Sequence, residues 1–131
     1  MRSLHILFVD NDTNGYGKIL QALDDRFVVD HVTSLAEAKR FLETSLPDVI
    51  ISEVLIGKES GLDLCQAIRK SSSLCHVPIM LLTSHTTLQD KIAGFSVGAD
   101  DYVVKPFDAH HLMARIRLLA RIKRLELNSE P

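Results

Sequence analysis

The stretch Pro47 to Gly61, PDVIISEVLIGKESG, decides how this chain reads. Val49, Ile50 and Ile51 are apolar with no polar alternation, the pattern of a strand buried on both faces in a parallel sheet covered by helices. The run ends at Glu53 and passes into a loop bounded by Gly57 and Gly61. In such sheets the ligand crevice lies beyond the carboxyl ends of the strands. Glu53 is therefore either an acid that solvates a turn or part of a site, and one residue does not choose between them.

Outward from that stretch, His5 to Val9 is another short apolar run, and it too delivers polar groups to its end: Asp10, Asn11 and Asp12. Tyr16, Ile19, Leu20 and Leu23 then recur at helical spacing on one expected core face, with Gly15 and Gly17 weakening the first turn. Phe27 to Val32 reads as the second strand, and Ser34 with Glu37 starts a helix through a capping box, with Leu35, Ala38 and Leu42 inward. Pro47 opens the third strand. Leu62, Cys65 and Ile68 mark a third helix, closed by Ser71 to Ser73. Pro78 opens the fourth strand, Ile79 to Leu82, which ends in Thr83 and Ser84.

Thr86 with Gln89, or Thr87 with Asp90, can cap a fourth helix whose expected core face is Leu88, Ile92 and Phe95, and Gly98 stops it. Tyr102 to Val104 is the fifth strand, followed at once by Lys105 and Pro106. Asp108 caps the last helix, with Leu112, Ile116 and Leu119 inward. Strands alternating with helices on short connections predict an α/β fold, a parallel sheet wound on both sides by right-handed crossovers.

Composition agrees with a single domain. A chain of 131 residues that is 46% hydrophobic can build a core without disulfides or metal. Cys65 and Cys75 lack CxxC spacing and read as reduced thiols of a cytoplasmic protein. A formal net charge of -2 gives no general case for nucleic acid or an anionic membrane. Leu4 to Val9 is too short for a signal peptide, and no apolar run reaches membrane-spanning length.

On this fold the strand ends gather Asp10, Asn11, Glu53, Thr83 and Lys105 on one rim. Acids, a hydroxyl and a lysine together can bind a cation and a phosphoryl group: metal and lysine neutralise the oxygens while the hydroxyl donates to one of them. With these residues in view, the chain resembles the receiver domain of two-component response regulators over almost its whole length. LFVDND, PDVIIS, VPIMLLTS and GADDYVVKPF carry the resemblance, the last most specifically.

The resemblance implies a flavodoxin-like, doubly wound (βα)5 fold with a five-stranded parallel sheet in strand order 2-1-3-4-5. It implies metal roles for Asp10 and Asn11 with Glu53, the phosphoacceptor position at Glu53, a switch hydroxyl at Thr83, a switch aromatic at Tyr102, and a phosphate-binding cation at Lys105. It also implies a cis peptide before Pro106, a signalling role rather than an enzymatic one, and as partners a histidine kinase, an output domain or another signalling protein. Residues 1–122 are assigned to the receiver and 123–131 to a helix end, linker or tail.

The chain departs from the family pattern where the chemistry is done. Glu53 stands in place of the acceptor aspartate, and one more carbon–carbon bond, about 1.5 Å, displaces the carboxylate from in-line geometry; a misplacement of about 1 Å can cost around a hundredfold in rate. Asn11 replaces the second metal-binding acid, so Mg²⁺, a hard cation, is expected to bind weakly. Gly57 replaces a common proline and is expected to loosen its loop. Asp48 lies at the wrong end of its strand, Ser52 points to the opposite face, and Asp12 is a partial substitute metal ligand at best. The expectation is an atypical receiver outside the usual phosphorylation cycle, with Glu53 a partial phosphomimic; a phosphorylatable receiver with a weakened Mg²⁺ site is the alternative.

A haloacid-dehalogenase-like phosphatase using Asp10 as nucleophile, with Asp12 as general acid, is a reading of another class. Its lysine would precede the acidic pair, whereas Lys105 follows Asp100 and Asp101, and Asn14 stands where a threonine is expected. Neither GxGxxG nor a Walker A loop is present, and the six histidines lack ligand spacing. Asp100 and Asp101 are expected to start the last strand and to meet basic residues of a partner.

On the last helix Leu118, Ile122 and Leu125 form a second apolar line amid Arg115, Arg117, Arg121, Lys123 and Arg124. That line is either a solvated basic face or a helix that pairs with a second copy or leads to an output module. The fourth helix, fifth strand and fifth helix are a common partner face in the family. Nucleic-acid binding by this helix is unexpected, since aromatic interleaving is missing.

Overall fold

The computed structural model describes residues 3–129, with the last helix described as backbone from residue 123 onward. The central sheet uses β1 (Leu4–Val9), β2 (Phe27–Val32), β3 (Val49–Ser52), β6 (Ile79–Thr83) and β7 (Asp101–Val104). All are parallel, in the order β2-β1-β3-β6-β7, which is the 2-1-3-4-5 order of a flavodoxin-like fold once the main strands alone are numbered. The helices are α1 (Thr13–Ala22), α2 (Leu35–Thr44), α3 (Gly61–Lys70), α4 (Leu88–Ser96) and α5 (Ala109–Ser129).

Because successive side chains on a strand face opposite ways, the sheet builds two cores. Ile6, Phe8, Ile51 and Leu82 pack with Ile19 of α1 and Leu112 and Ile116 of α5. Leu7, Val9, Ile50 and Leu81 pack on the other face with Ala38 and Leu42 of α2 and Leu64, Cys65 and Ile68 of α3. Burial pushes the Cys65 thiol up to about 11, so it is an inert core residue.

The helix starts follow their cap residues. Ser34 Oγ accepts from Glu37 N–H, while Glu37 reaches back to the Thr33 N–H, one residue earlier than a standard capping box. Of the two expected caps for α4, Thr87 with Asp90 forms. Asp12 caps α1 and Asp108 accepts from His111 N–H at the start of α5.

Four expectations are corrected. Leu20 is 47% exposed, while Ile19 of α1 and Leu23, the residue just after the helix, are buried as expected. The Gly57 to Gly61 stretch is a hairpin, β4 (Leu55–Ile56) against β5 (Glu59–Ser60), and Gly57 takes φ 62° in its turn. A glycine at the first central position is what a II′ hairpin turn requires, so Gly57 shapes this loop rather than loosening it. Leu88, Ile92 and Phe95 do share one face of α4, but it is the outer one, 69%, 55% and 49% exposed. The helix lies on the sheet through Gly94, where an added Cβ would fall 2.8 Å from Leu81, so small size and not apolar area fixes its inner side. Finally, Asp100 and Asp101 meet arginines of their own chain: Arg69 donates to Asp100 Oδ2 at 2.7 Å and Arg115 to Asp101 Oδ2 at 2.7 Å.

Among the described residues no helix is long and apolar enough to cross a membrane. The backbone of α5 runs unbroken across residue 122 to Ser129. Leu125, Lys123 and Arg124, expected on its outer face, lie outside the described side chains.

Candidate functional site

Parallel register carries the ends of β1, β3, β6 and β7 to one rim: Val9 pairs with Ser52 and Thr83 with Val104, so Asp10, Glu53, Thr83 and Lys105 come out side by side. Lys105 Nζ lies 3.2 Å from Glu53 Oε1 and 3.6 Å from Asp10 Oδ2. Glu53 is folded back on its own backbone, its Oε2 accepting the Val54 N–H. Both oxygens of this carboxylate are thus engaged.

Asp10 is 2% exposed, with Oδ1 accepting from Asp12 N–H at 3.0 Å and Oδ2 buried without a hydrogen-bond partner. Two carboxylates against one ammonium leave the pocket with a single negative charge, which opposes the approach of a phosphoryl donor and favours a cation. Asn11, by contrast, is exposed, and its amide nitrogen lies beside Gly57. Asp12 is exposed and engaged as the α1 cap, a role that the expectation of a substitute ligand left out.

Thr83 is fully buried, and its Oγ1 accepts from His85 N–H. Tyr102 packs inward, and its hydroxyl donates to the His85 carbonyl at 2.9 Å. Burial first, then the charges of Asp90 and Glu53, raise the Tyr102 pKa, so this hydroxyl stays protonated as a donor. The Lys105–Pro106 peptide is cis. Asp48 accepts from His5 N–H at the far end of the sheet, and Ser52 Oγ donates to the Glu53 carbonyl, so neither reaches the rim.

One contributor escaped the sequence reading. His31 Nε2 donates to the Asp10 carbonyl at 2.7 Å, and its ring stacks on Tyr16 at 4.4 Å between centroids. The available signal was register: His31 pairs with Phe8 on the adjacent strand, two residues from Asp10. A histidine in the alternating strand Phe27–Val32 gives no such hint by itself.

Residues 6–117 match the family described as the response regulator receiver domain. The chain belongs to the receiver family. Among curated proteins it is 40% identical over 119 residues to the transcriptional regulatory protein BasR of Escherichia coli, covering 90% of this chain and 53% of that protein. It is 39% identical over 122 residues to the probable transcriptional regulator ycf27 of Cyanidium caldarium, covering 92% of this chain and 47% of the other. This receiver thus spans about half the length of these curated relatives.

Among solved structures, a response regulator from Chloroflexus aurantiacus superposes with TM-score 0.82 at 30% identity, covering 92% of this chain and 99% of that one. The receiver domain of a histidine kinase from Syntrophus aciditrophicus gives TM-score 0.82 at 29% identity, with 91% of each chain covered. Receivers are signalling modules of two-component systems and not enzymes, so the phosphatase reading built on Asp10 falls.

The family's cation is Mg²⁺. The unpartnered Asp10 Oδ2 is the kind of hard anionic oxygen it takes, and Glu53 and Asn11 are the other donors the rim could offer. The set is right in kind and short in number: Lys105 already holds Glu53 and approaches Asp10, and no group of three or more His, Cys, Asp or Glu gathers for a metal among the described residues.

Proposed function

We propose that this receiver signals without the usual phosphorylation cycle. The observation that carries the reading is the engaged carboxylate at the end of β3, with Glu53 Oε1 on Lys105 and Oε2 on the Val54 N–H. The carboxylate at the end of β3 already occupies the cation meant for phosphate, a partial imitation of the phosphorylated form: glutamate brings one charge and two oxygens where phosphate brings close to two charges and three oxygens. Mg²⁺ binds weakly through Asp10, Glu53 and Asn11, with the lysine competing for the same acids. Thr83 and Tyr102 keep the switch roles, held inward through His85.

Output then runs through protein contact. Leu88, Ile92 and Phe95 on α4 and Leu118 and Ile122 on α5 expose apolar side chains on the two sides of β7, a face suited to a second copy, to an output domain or to another signalling protein. Membership of the receiver family supports a histidine kinase as partner, the greater length of the curated relatives supports a following output segment, and residues 123–131 serve as the helix end or linker toward it.

The lock has a direct spectroscopic consequence. In Glu53→Gln the charge is lost at nearly constant shape, and the amide resonances of Thr83, His85, Tyr102 and Lys105 should move together. A spectrum altered only at Glu53 and its chain neighbours would contradict a lock that reaches the switch residues.

A further inference from the structure

The start of α2 is capped from two sources. Its own neighbourhood meets two amides: Ser34 Oγ accepts from Glu37 N–H, and Glu37 accepts from Thr33 N–H. The N–H of Leu35, the first helical residue, has no acceptor within the helix and finds one 24 residues away, Glu59 Oε1 at 3.1 Å. The negative charge of Glu59 also suits the positive end of the helix. Glu59 belongs to β5, in the hairpin that follows Glu53. That hairpin pairs only Leu55 with Ser60 and Ile56 with Glu59, a ladder too short to hold itself. Ile56 anchors it in the core, and the Glu59 carboxylate is its tie to α2. Val54, between Glu53 and the hairpin, is engaged on both sides: its N–H donates to Glu53 Oε2 and its carbonyl accepts from Gly61 N–H at 2.7 Å. The contacts thus run without a gap from Leu35 through Glu59, the two rungs and Val54 to the Glu53 carboxylate.

We infer that Glu59 is a positioning residue for Glu53: it latches the β4–β5 hairpin to the start of α2 and so keeps the Val54 N–H on the Glu53 carboxylate. The hairpin is the element with two arrangements, latched and released, and both of its ends bias it. A contact that shifts the first turn of α2 thereby reaches the end of β3. The inference rests on the engaged carboxylate of Glu53 and deepens that reading, without using whether the chain takes up phosphate.

Amide hydrogen exchange of the ¹⁵N-labelled full chain tests the latch. In Glu59→Ala the Leu35 amide should exchange about tenfold faster or more, and the Val54 and Gly61 amides should follow, while Ile50, bonded to the Pro78 carbonyl, keeps its native rate. Glu59→Gln keeps an acceptor oxygen and should keep most of the protection. Coupling is reciprocal, so Glu53→Ala, which takes the acceptor from Val54 N–H, should in turn speed exchange at Leu35; a residue that merely caps α2 gives no such response. Faster exchange confined to Leu35 in Glu59→Ala, or a native Leu35 rate in Glu53→Ala, would overturn the inference. So would an equal rise at Ile50, which reports global loss of stability. Failure of the phosphorylation reading is seen separately, as added mass on the native chain.

Discussion

The acceptor position is governed by distances of an ångström or two. The Glu53 carboxylate takes the Val54 N–H on one oxygen and Lys105 on the other, and on the proposed reading this double engagement closes the acceptor position. Its backbone is held as tightly as its side chain. Gly61 passes so close under β3 that an added Cβ would fall 2.9 Å from Ser52 Oγ and closer still to the Glu53 carbonyl. Gly61→Ala should therefore lower stability by about 1–3 kcal/mol, read from urea unfolding, because the obstacle is main chain and cannot rotate away. A loss below a few tenths of a kcal/mol would show that the β5–α3 junction shifts freely.

At this scale Asp10, Glu53, Thr83 and Lys105 were legible in the sequence because each ends a strand of a parallel sheet. Asn11 was legible as a family position but not in its orientation, since nothing in LFVDND says that its amide turns toward the hairpin. His31 was not legible at all, because its partner is a main-chain carbonyl and carries no residue identity.

At the scale of elements, α4 is the instructive case. Its apolar residues follow a helical period, and period alone identifies a face without saying which way the face looks. The direction is set by Gly94 against Leu81 and Tyr102. The exposed stripe makes a prediction: Ile92→Asp should leave monomer stability within about 0.5 kcal/mol, as for other solvent-facing positions, and, if the proposed face pairs two copies, should shift light scattering to the monomer. Retained association with α4 altered, but lost when the chain ends at Leu119, would move the contact to α5. Arg115 belongs to the same face, but it is tied down by Asp101 at 2.7 Å and 3.0 Å, so the basic rim is less free than the sequence suggests.

For the molecule as a whole, the strand–helix alternation made the fold readable, while the ties that hold the layers in place were not. Arg69 of α3 donates to the carbonyls of Gly98, Cys75 and Val77 and pairs with Asp100, joining α3 to the turns before β6 and β7. Sequence shows Arg69 only as a basic residue in the last turn of a helix. Arg69→Ala leaves an acid and several carbonyls without this partner and should cost about 3 kcal/mol or more by denaturant unfolding. A loss near zero would mean that water replaces the guanidinium without strain.

The same whole-molecule view sets the central test. Fold and strand order are those of a receiver, and on the proposed reading the chemistry turns on the identity of two side chains, Glu53 and Asn11. Intact-mass measurement after incubation with acetyl phosphate and Mg²⁺ compares the native chain with Glu53→Asp/Asn11→Asp. The account predicts no phosphoryl adduct on the native chain and an adduct on the double variant. Stoichiometric phosphorylation of the native chain would contradict it.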